Sequence, residues 1–362
     1  MRVPVAVEGA AYEVAVEPTW AGLGAALSVA ARRGRCVVVT NPVVGPLHAP
    51  GLLAHLEAEG WEPTLLEIPD GEERKNLETW GTLVERLLEA RVDRRTPVLA
   101  LGGGVTGDTV GFAAASALRG LPLVQLPTSL LAMVDSSVGG KTGVNTRHGK
   151  NLVGAFYQPR LVWAALHTLG TLPAEELRCG LGEVVKHAVL EGEDALVDCE
   201  AQAERLIAAD PEALEAVVAR SVRTKAAVVA ADPLESGVRA TLNLGHTLGH
   251  AIEAVTGYGR VRHGEAVMIG LCAVARFSAG RGWLRAPDLP SRLEKLGSQL
   301  GLPVRAPDGV TRDALIDAVG FDKKRLRATI RIVAPRAPGD VVLHDLPIDE
   351  VPALVQALFT DL

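Results

Sequence analysis

The amino-terminal half of the chain alternates short apolar runs with longer amphipathic segments. Residues 3–7 and 12–16 alternate apolar and polar positions, which predicts an opening β-hairpin. Further apolar runs predict buried strands, and the remaining segments have helical periodicity: strands at 36–40, 64–68 and 98–101, helices at 20–33, from Asn41-Pro42 to Gly60, at 72–91 and at 110–118. Strands that alternate with helices indicate a parallel sheet with crossover helices.

Beyond Gln158-Pro159 the pattern changes to long helical segments. A short alternating segment at 328–333 predicts one small strand. Helices are predicted at 173–191, 196–209, 211–231, 243–255 and 265–279. We therefore expect an α/β domain at residues 1–171, followed by a mostly α-helical domain at residues 172–362.

Composition and charge narrow the class of protein. The length of 362 residues favours two domains, and 48% hydrophobic with 22% charged residues is typical of a soluble globular protein. A net charge of −6 argues against a nucleic-acid partner, because there is no basic surplus to neutralise phosphates. The apolar runs are too short to span a membrane, and the first residues lack a signal-peptide core. Because the four cysteines form no C-x-x-C pair, we expect reduced thiols and a cytoplasmic location.

A glycine-rich turn follows the strand predicted at 98–101. Gly102, Gly103, Gly104 and Gly107 read G-G-G-x-x-G, and a predicted helix comes next. Glycines at this place let a dinucleotide pyrophosphate approach the backbone and the amino terminus of a helix. The motif differs from the usual G-x-G-x-x-G, so a plain tight turn is the alternative. The position between a strand and a helix favours nucleotide binding.

The segment 126–151 is apolar at one end and rich in Gly, Ser and Thr at the other. Gly140-Lys141-Thr142 resembles the end of a P-loop, but that motif requires a glycine at position 135, which is an aspartate. An NTPase is therefore excluded. An ordinary surface loop is the alternative, although such loops are rarely so apolar at one end. We interpret the basic and amide side chains as donors to a phosphate or a polyhydroxylated ligand: Lys141, Lys150 and Asn151.

Several histidines and one glutamate provide the residue types of a metal centre. His246 and His250 lie four residues apart, so in a helix both imidazoles leave the same face. Imidazole suits a cation such as zinc, whose catalytic sites commonly have three protein ligands. Spacing leaves the third ligand open between His263, which follows a glycine-containing turn, and Glu183 upstream. A lone histidine is more often a core or capping residue, but four of the nine histidines lie between 187 and 263.

Glu183 and Lys186 lie three residues apart in the helix predicted at 173–191 and share one of its faces. In a solvated helix this pair would be an ordinary salt bridge. Glycine is costly in the middle of a helix, and both Gly180 and Gly182 precede Glu183. The two glycines therefore predict that another part of the protein approaches this helix closely.

Seven blocks, taken in order, resemble the 3-dehydroquinate synthase family of the sugar-phosphate cyclase superfamily. They extend over nearly the whole chain: Gly102 to Phe112, Pro127 to Asn145, Lys150 to Pro159, Leu181 to Lys186, Arg239 to His250, His263-Gly264 and Asp322-Lys323-Lys324. The resemblance implies a Rossmann-like NAD-binding domain, a helical domain that holds one divalent metal, zinc or cobalt, and an active site in the cleft between them. This fold agrees with the division inferred from periodicity.

The resemblance also implies roles for individual residues. The implied metal ligands are Glu183, His246 and His263, so His250 is not the second ligand that spacing suggests. The implied substrate residues form three groups: His250, Lys141, Asn151, Asn243 and one of Lys323 and Lys324 on the phosphate, Lys225 and Arg239 on the carboxylate, and Lys150, Lys186, Asp135 and Glu235 at positions that bind or orient the hydroxyls. The residues implied around NAD are Asn41, Glu72, Lys75, Gly103, Gly104, Val105, Asp108, Thr128, Ser129, Asp135, Lys141, Lys150, Thr171, Leu172 and Glu176. Arg119 matches an arginine that reaches the neighbouring subunit, which implies a homodimer.

Four positions depart from the family pattern without removing an implied ligand or donor. Ser129 replaces a common threonine, Met133 a glutamine, Gly182 an alanine, and His187 a tyrosine or apolar residue. His187 lies four residues after Glu183 and has the chemistry of a ligand. We expect it to pack beside the metal ligands instead.

The implied substrate is a phosphorylated keto acid, 3-deoxy-D-arabino-heptulosonate 7-phosphate, and the implied products are 3-dehydroquinate and phosphate. NAD would take up a hydride and return it, so the reaction has no net redox change. Cyclases that form 2-deoxy-scyllo-inosose or 2-epi-5-epi-valiolone are the first alternative, but their substrates lack the carboxylate that Lys225 and Arg239 would bind. A metal-dependent polyol dehydrogenase and a catalytically silent NAD-binding protein are the others, and the intact residue set weighs against the last.

Overall fold

The computed structural model describes residues 1–257, 259–321 and 328–360. They form two compact units that do not simply follow one another along the chain. Unit 1 comprises Met1–Pro173 and Leu214–Leu234, and unit 2 comprises Ala174–Ala213 and the chain from Glu235 onward. A helical stretch from the second half of the chain therefore belongs to unit 1. The division into domains at residue 172 stays a prediction.

Nine strands lie among the described residues of unit 1: β1 (Arg2–Val5), β2 (Tyr12–Glu17), β3 (Arg35–Thr40), β4 (Glu62–Glu67), β5 (Val98–Gly102), β6 (Leu123–Pro127), β7 (Lys141–Thr146), β8 (Gly149–Phe156) and β9 (Leu161–Ala165). Seven form one sheet in the order β1-β2-β9-β6-β5-β3-β4. β1 and β2 pair antiparallel, as the predicted hairpin requires, and the other neighbours pair in parallel. The predicted parallel sheet is confirmed, and β7 and β8 form a separate antiparallel ribbon.

The described helices are α1 (Leu23–Ala30), α2 (Gly45–Ala58), α3 (Leu77–Glu89), α4 (Gly104–Ser116), α5 (Ala174–Glu191), α6 (Glu193–Ala201), α7 (Ala203–Ile207), α8 (Pro211–Ala231), α9 (His246–Thr256), α10 (His263–Gly280), α11 (Leu289–Gln299), α12 (Arg312–Phe321) and α13 (Val351–Gln356). In unit 2 the strands β10 (Thr329–Ala337) and β11 (Asp340–Pro347) form a hairpin. The small strand predicted at 328–333 is therefore half of a hairpin. None of the helices in these ranges is long and apolar enough to cross a membrane.

Apolar clusters cover both faces of the large sheet. Cys36 and Val38 of β3 pack in one cluster with side chains of α1 and α2. Val37 and Val39 of the same strand pack in the other cluster with side chains of α3 and α4. Successive side chains of a strand point to opposite faces, and both faces are buried here. This explains why the predicted strand at 36–40 reads as a continuous apolar run.

The strand order reverses between β3 and β5, and the predicted cofactor residues of both strands lie there. In a doubly wound sheet, ligands bind at such a reversal, outside the carboxyl ends of the strands. Asn41 follows β3, and its side-chain amide donates to the hydroxyl of Thr106 in α4 at 3.2 Å. Gly103 and Gly104 follow β5 and begin α4. The glycine-rich turn therefore starts a helix at the carboxyl ends of the strands, where a dinucleotide would bind.

Several predicted boundaries are wrong for local reasons. The helix predicted at 110–118 begins at Gly104, because the glycines form its first turn instead of preceding it. The helix predicted at 72–91 is interrupted, and α3 begins only after Asn76, whose side chain accepts the backbone N–H of Thr79 at 3.0 Å. The helix predicted at 196–209 is divided into α6 and α7, with Gln202 between them.

Candidate active site

Glycines bring α5, α9 and α10 of unit 2 almost backbone to backbone. A methyl group on Gly182 of α5 would lie closer than 3.0 Å to the carbonyl oxygen of Gly264 in α10, a distance that real Cβ atoms essentially never show. A methyl group on Gly264 would meet Cys179 of α5 in the same way, and one on Gly270 would meet the carbonyl oxygen of Gly245, which precedes α9. The close approach predicted from Gly182 is therefore confirmed. Larger residues at these positions would separate the three helices.

The close packing places one potential metal ligand from each helix next to the others. Glu183 follows Gly182 on α5, His246 is the first residue of α9, and His263 is the first residue of α10. Nε2 of His246 lies 3.6 Å from Oε1 of Glu183, and Nε2 of His263 lies 3.4 Å from the same oxygen. The three ligand atoms all lie within 4.8 Å of one another. One carboxylate and two imidazoles at this separation have the composition of a catalytic zinc site.

His250 lies beside this group, on the face of α9 that spacing predicts. Its ring centroid is 5.3 Å from that of His246 and 6.0 Å from that of His263, and the side chain is exposed. His250 belongs to a second group of potential ligands, which it forms with Glu253 and His263. His187 is buried on α5, four residues after Glu183.

The carboxylate of Glu183 is the centre of charge in this site. Both of its oxygens are fully buried and have no hydrogen bond of normal geometry among the described residues, although the ammonium of Lys186 forms an ion pair with one of them. Burial alone would raise the pKa of Glu183, but Lys186 and the two imidazoles outweigh burial and hold that pKa well below its usual range. A buried carboxylate is costly unless positive charge compensates it. The donor set and the buried negative charge therefore fit a divalent cation.

The two histidines differ in their protonation. Burial, followed by the charge of Lys186, lowers the pKa of His246 to about 3, so this ring is neutral at pH 7 and can offer a lone pair. Burial also opposes the charged form of His263, but Glu183 and Glu253 reverse its effect and raise the pKa to about 10. The protonated ring of His263 lies between two carboxylates, with Nε2 facing Glu183 and Nδ1 facing Glu253. Because a metal ligand must be deprotonated, a cation would displace the proton on Nε2.

In unit 1 the predicted cofactor and phosphate residues share a hydrogen-bonded cluster. Nζ of Lys75 donates to Oδ2 of Asp108 at 2.5 Å and to Oδ1 of Asn151 at 2.7 Å. Lys150 lies farther away, with its Nζ 4.0 Å from Oε1 of Glu72. Burial raises the pKa of Asp108, and the Lys75 ammonium offsets part of that effect. Lys75 is thus fixed between a residue predicted to contact NAD and one predicted to contact the substrate phosphate.

Another ion pair of unit 1 joins two predicted substrate residues. Nζ of Lys225 on α8 donates to the carboxylate of Asp135 at 2.5 Å and to its backbone carbonyl at 2.8 Å. Asp135 lies in a π-helical turn, Ala132–Ser136, of the kind often found at functional sites. Through this pair, α8 contributes a basic side chain next to the segment 126–151.

The other predicted residues have the following environments. In unit 1 the hydroxyl of Thr171 contacts Nε2 of His48 at 2.9 Å, Thr128 is buried after β6, Lys141 is exposed at the start of β7, and Arg119 is exposed after α4. In unit 2 Arg239 is almost fully buried, Asn243 donates to Oε1 of Glu235 at 3.2 Å, and Glu176 accepts from Nε of Arg262 at 2.8 Å. Lys324 lies outside the described residues. Val105, Ser129 and Leu172 are partly buried.

Asn145 ends the Gly-Lys-Thr-Gly-Val-Asn stretch, but neither the sequence pattern nor the family resemblance predicts a role for it. Its side-chain amide donates to Oε1 of Glu72 at 2.7 Å, and its Oδ1 accepts the backbone N–H of Asn151 at 2.9 Å. Asn151 has φ 55°, in the left-handed region that few residues other than glycine adopt. Asn145 therefore holds two predicted ligand-binding residues in place, one through each end of its amide.

Replacing Asn145 with alanine should loosen β8 around Asn151. Without the acceptor, the left-handed backbone of Asn151 loses one of the contacts that hold it, and its N–H should exchange faster with solvent. Hydrogen exchange of the peptide 147–156, followed by mass spectrometry, measures this effect. The matched control is Ser28→Ala, which removes a side-chain hydrogen bond to the carbonyl of Gly24 in α1 and should leave that peptide unchanged. Unchanged exchange in Asn145→Ala would contradict the assignment.

Known proteins match almost the full chain. Family models described as "3-dehydroquinate synthase N-terminal" and "3-dehydroquinate synthase C-terminal" match residues 65–179 and 180–325. A 3-dehydroquinate synthase from Synechococcus sp. is 43% identical over 366 aligned positions, which cover 99% of each chain.

Solved structures of other cyclases share the fold. A 2-epi-5-epi-valiolone synthase from Streptomyces hygroscopicus subsp. jinggangensis, with NAD⁺ and Zn²⁺ bound, is 32% identical with a TM-score of 0.85, covering 96% of each chain. A 2-deoxy-scyllo-inosose synthase complexed with carbaglucose-6-phosphate, NAD⁺ and Co²⁺ is 24% identical with a TM-score of 0.87, covering 98% of this chain and 99% of that one. Since both family models and a relative of nearly equal length agree, the chain belongs to the 3-dehydroquinate synthase family.

Proposed function

We propose that this protein converts 3-deoxy-D-arabino-heptulosonate 7-phosphate into 3-dehydroquinate and phosphate, with NAD and one divalent metal, zinc or cobalt, as cofactors. The observation that carries the proposal is the convergence of Glu183, His246 and His263 within 4.8 Å in a chain of this family. The presence of NAD⁺ with Zn²⁺ or Co²⁺ in the two related cyclases supports the choice of cofactors. The higher identity to the synthase from Synechococcus than to either cyclase supports the choice of reaction.

The residues of unit 2 would hold the cation and the reacting hydroxyl. When bound, NAD accepts and returns a hydride, and the cation polarises the hydroxyl that loses it. Glu183, His246 and His263 would hold the cation. The ammonium of Lys186, buried beside Glu183, would donate to a substrate hydroxyl and orient it. Because the imidazole of His246 is neutral at pH 7, it can serve as a ligand without first losing a proton.

The residues of unit 1 would bind the cofactor and part of the anionic substrate. Gly103 and Gly104, at the start of α4, would receive the pyrophosphate of NAD, because backbone N–H groups at a helix amino terminus attract anions. Lys75, fixed by Asp108, would direct the Asn151 amide. The residues proposed for the substrate phosphate are Lys141, Asn151, Asn243, His250 and Lys324. Lys225 and Arg239 are proposed to bind the carboxylate.

The proposal is tested by incubating the purified protein with the heptulosonate phosphate, a catalytic amount of NAD and zinc or cobalt. We expect one phosphate released for each substrate consumed, with no accumulation of NADH. A sugar phosphate that lacks a carboxylate, such as glucose 6-phosphate, is the matched control and should release none. Phosphate release from the control alone would favour an inosose-type cyclase. Steady accumulation of NADH would favour a polyol dehydrogenase.

We also propose a homodimer in which Arg119 completes the partner's site. Arg119 is exposed and has φ 66°, between Leu118 with φ 51° and Gly120 with φ 123°, so it lies in a left-handed turn that follows α4. Mixing inactive Arg119→Ala and Lys186→Ala chains should restore part of the activity, because one site of each mixed dimer would then contain both residues. No activity in verified mixed dimers would contradict a shared arginine.

A cytoplasmic location stays a prediction: the four cysteines are buried and none forms a disulfide.

A further inference from the structure

The two histidines of the proposed metal site use their ring nitrogens in the same way. Each directs Nε2 toward Oε1 of Glu183 and Nδ1 away from it. Nδ1 of His246 lies 3.1 Å from the backbone carbonyl of Leu244, and Nδ1 of His263 lies 3.3 Å from Oε2 of Glu253. An oxygen therefore contacts Nδ1 of each ring. At His246 this oxygen is a neutral carbonyl, and at His263 it belongs to a charged carboxylate.

These oxygens select the tautomer of each ring. A carbonyl or an ionised carboxylate only accepts hydrogen bonds, so the Nδ1 atom facing it must carry the proton. The lone pair of a neutral ring then lies on Nε2, which faces Glu183 in both cases. A histidine that binds a metal commonly donates its other N–H to such a partner, which fixes the ring and makes it a better ligand.

Packing around Glu253 restricts where its carboxylate can lie. The residue lies on α9, two turns after His246, and its side chain is only 8% exposed. A methyl group on Gly249, one turn earlier on α9, would already crowd the backbone of Ala266 in α10. The two helices are therefore in close contact on this side, which leaves the Glu253 carboxylate little freedom relative to His263.

We propose that Glu253 is a positioning residue for the divalent cation, acting through His263. It holds the imidazole so that Nε2 points at Glu183, and its charge strengthens the attraction of the site for a cation. The inference rests on the proposed metal site, to which Glu253 would contribute no direct bond. Glu253 is absent from the residues that the sequence pattern and the family resemblance imply.

Two variants separate orientation from charge. Glu253→Gln keeps an oxygen that can accept from Nδ1 but removes the charge, and Glu253→Ala removes both. Thr256→Val is the control on the same helix, because the Thr256 hydroxyl donates to the carbonyl of Ile252 within α9. Zinc affinity is measured on metal-free protein by competition with a chromophoric chelator, and the visible spectrum of the cobalt-loaded protein reports the coordination geometry.

We expect Glu253→Ala to weaken zinc binding by about 10- to 100-fold and to alter the cobalt spectrum. Glu253→Gln should bind zinc more weakly than the wild type but more tightly than Glu253→Ala, with cobalt bands close to those of the wild type. Thr256→Val should match the wild type in both measurements. These differences should persist when thermal melting shows that the metal-free variants are equally folded, which a purely structural role would not produce.

Wild-type zinc affinity in Glu253→Ala would overturn the proposal while leaving the metal site intact. If Glu253→Ala does not fold, wild-type affinity in Glu253→Gln overturns it instead. Absence of zinc binding by the wild-type protein would refute the proposed metal site itself, and the role of Glu253 with it.

Discussion

Replacing His263 with alanine abolishes turnover and metal retention together, if the three ligands act as proposed. The variant keeps Glu183 and His246, whose ligand atoms are 3.6 Å apart, but loses the imidazole on α10. Removal of a direct ligand should weaken zinc binding by more than the roughly 100-fold that the loss of a supporting residue can cost. Polarisation by a cation contributes several kcal/mol to such a reaction, so kcat should fall by about a thousandfold or more.

Zinc content after gel filtration and phosphate release on the same sample measure the two effects. His344→Ala is the control, since its ring packs against Trp283 in unit 2, with ring centroids 4.5 Å apart, and is proposed to bind nothing. The control should retain zinc and activity. Full activity in a His263→Ala sample that holds no metal would refute the ligand assignment.

Replacing Gly264 with alanine should damage the same site without touching a ligand. The added methyl group would lie closer than 3.0 Å to the carbonyl oxygen of Cys179, so α10 must move away from α5. Overpacking of this kind typically costs about 1–3 kcal/mol of the free energy of unfolding. His263 precedes Gly264 and would move with it, and a shift of about 1 Å at a catalytic group can cost roughly 100-fold in rate.

The control for this substitution is Gly280→Ala, at the other end of α10. A methyl group there meets nothing within 4 Å, so the change tests only the effect of alanine in the helix. We expect Gly280→Ala to retain zinc, kcat and stability. Denaturant unfolding, zinc content and phosphate release are compared on the two variants. Gly264→Ala with wild-type zinc content and kcat would show that close packing of α5 and α10 does not determine the site.

Burial imposes a regular pattern that made β3 and β5 predictable, although the equally buried β6 and β9 were not predicted, and β9 lies where the sequence pattern indicated helices. β3 and β5 read as continuous apolar runs because both faces of the sheet are covered. The ribbon of β7 and β8 was not predicted, because glycine, a poor strand former, occupies positions that pair between the two strands. Gly143 faces Gly154, where the two backbones approach too closely for a side chain on either residue. That constraint comes from tertiary contact and has no period in the sequence.

The candidate site was only partly predictable for a similar reason. Spacing on one helix identifies His246 and His250 as neighbours, and their rings are indeed close. It cannot select among ligands on other helices, because the crossing of α5 and α10 decides that Glu183 meets His263. Gly182 indicated the crossing but not what would cross there. The family resemblance supplied the missing choice, and neither approach indicated the carboxylate of Glu253 behind His263.

The membership of residues 214–234 in unit 1 has a consequence for biosynthesis. When residue 173 leaves the ribosome, the nascent chain still lacks α8, whose Val218 and Val222 side chains are buried in the folded protein. The first unit can be completed only after residue 234 has emerged, by which time α5 has already been translated. Until then the first unit exposes apolar surface, which can bind chaperones or cause aggregation.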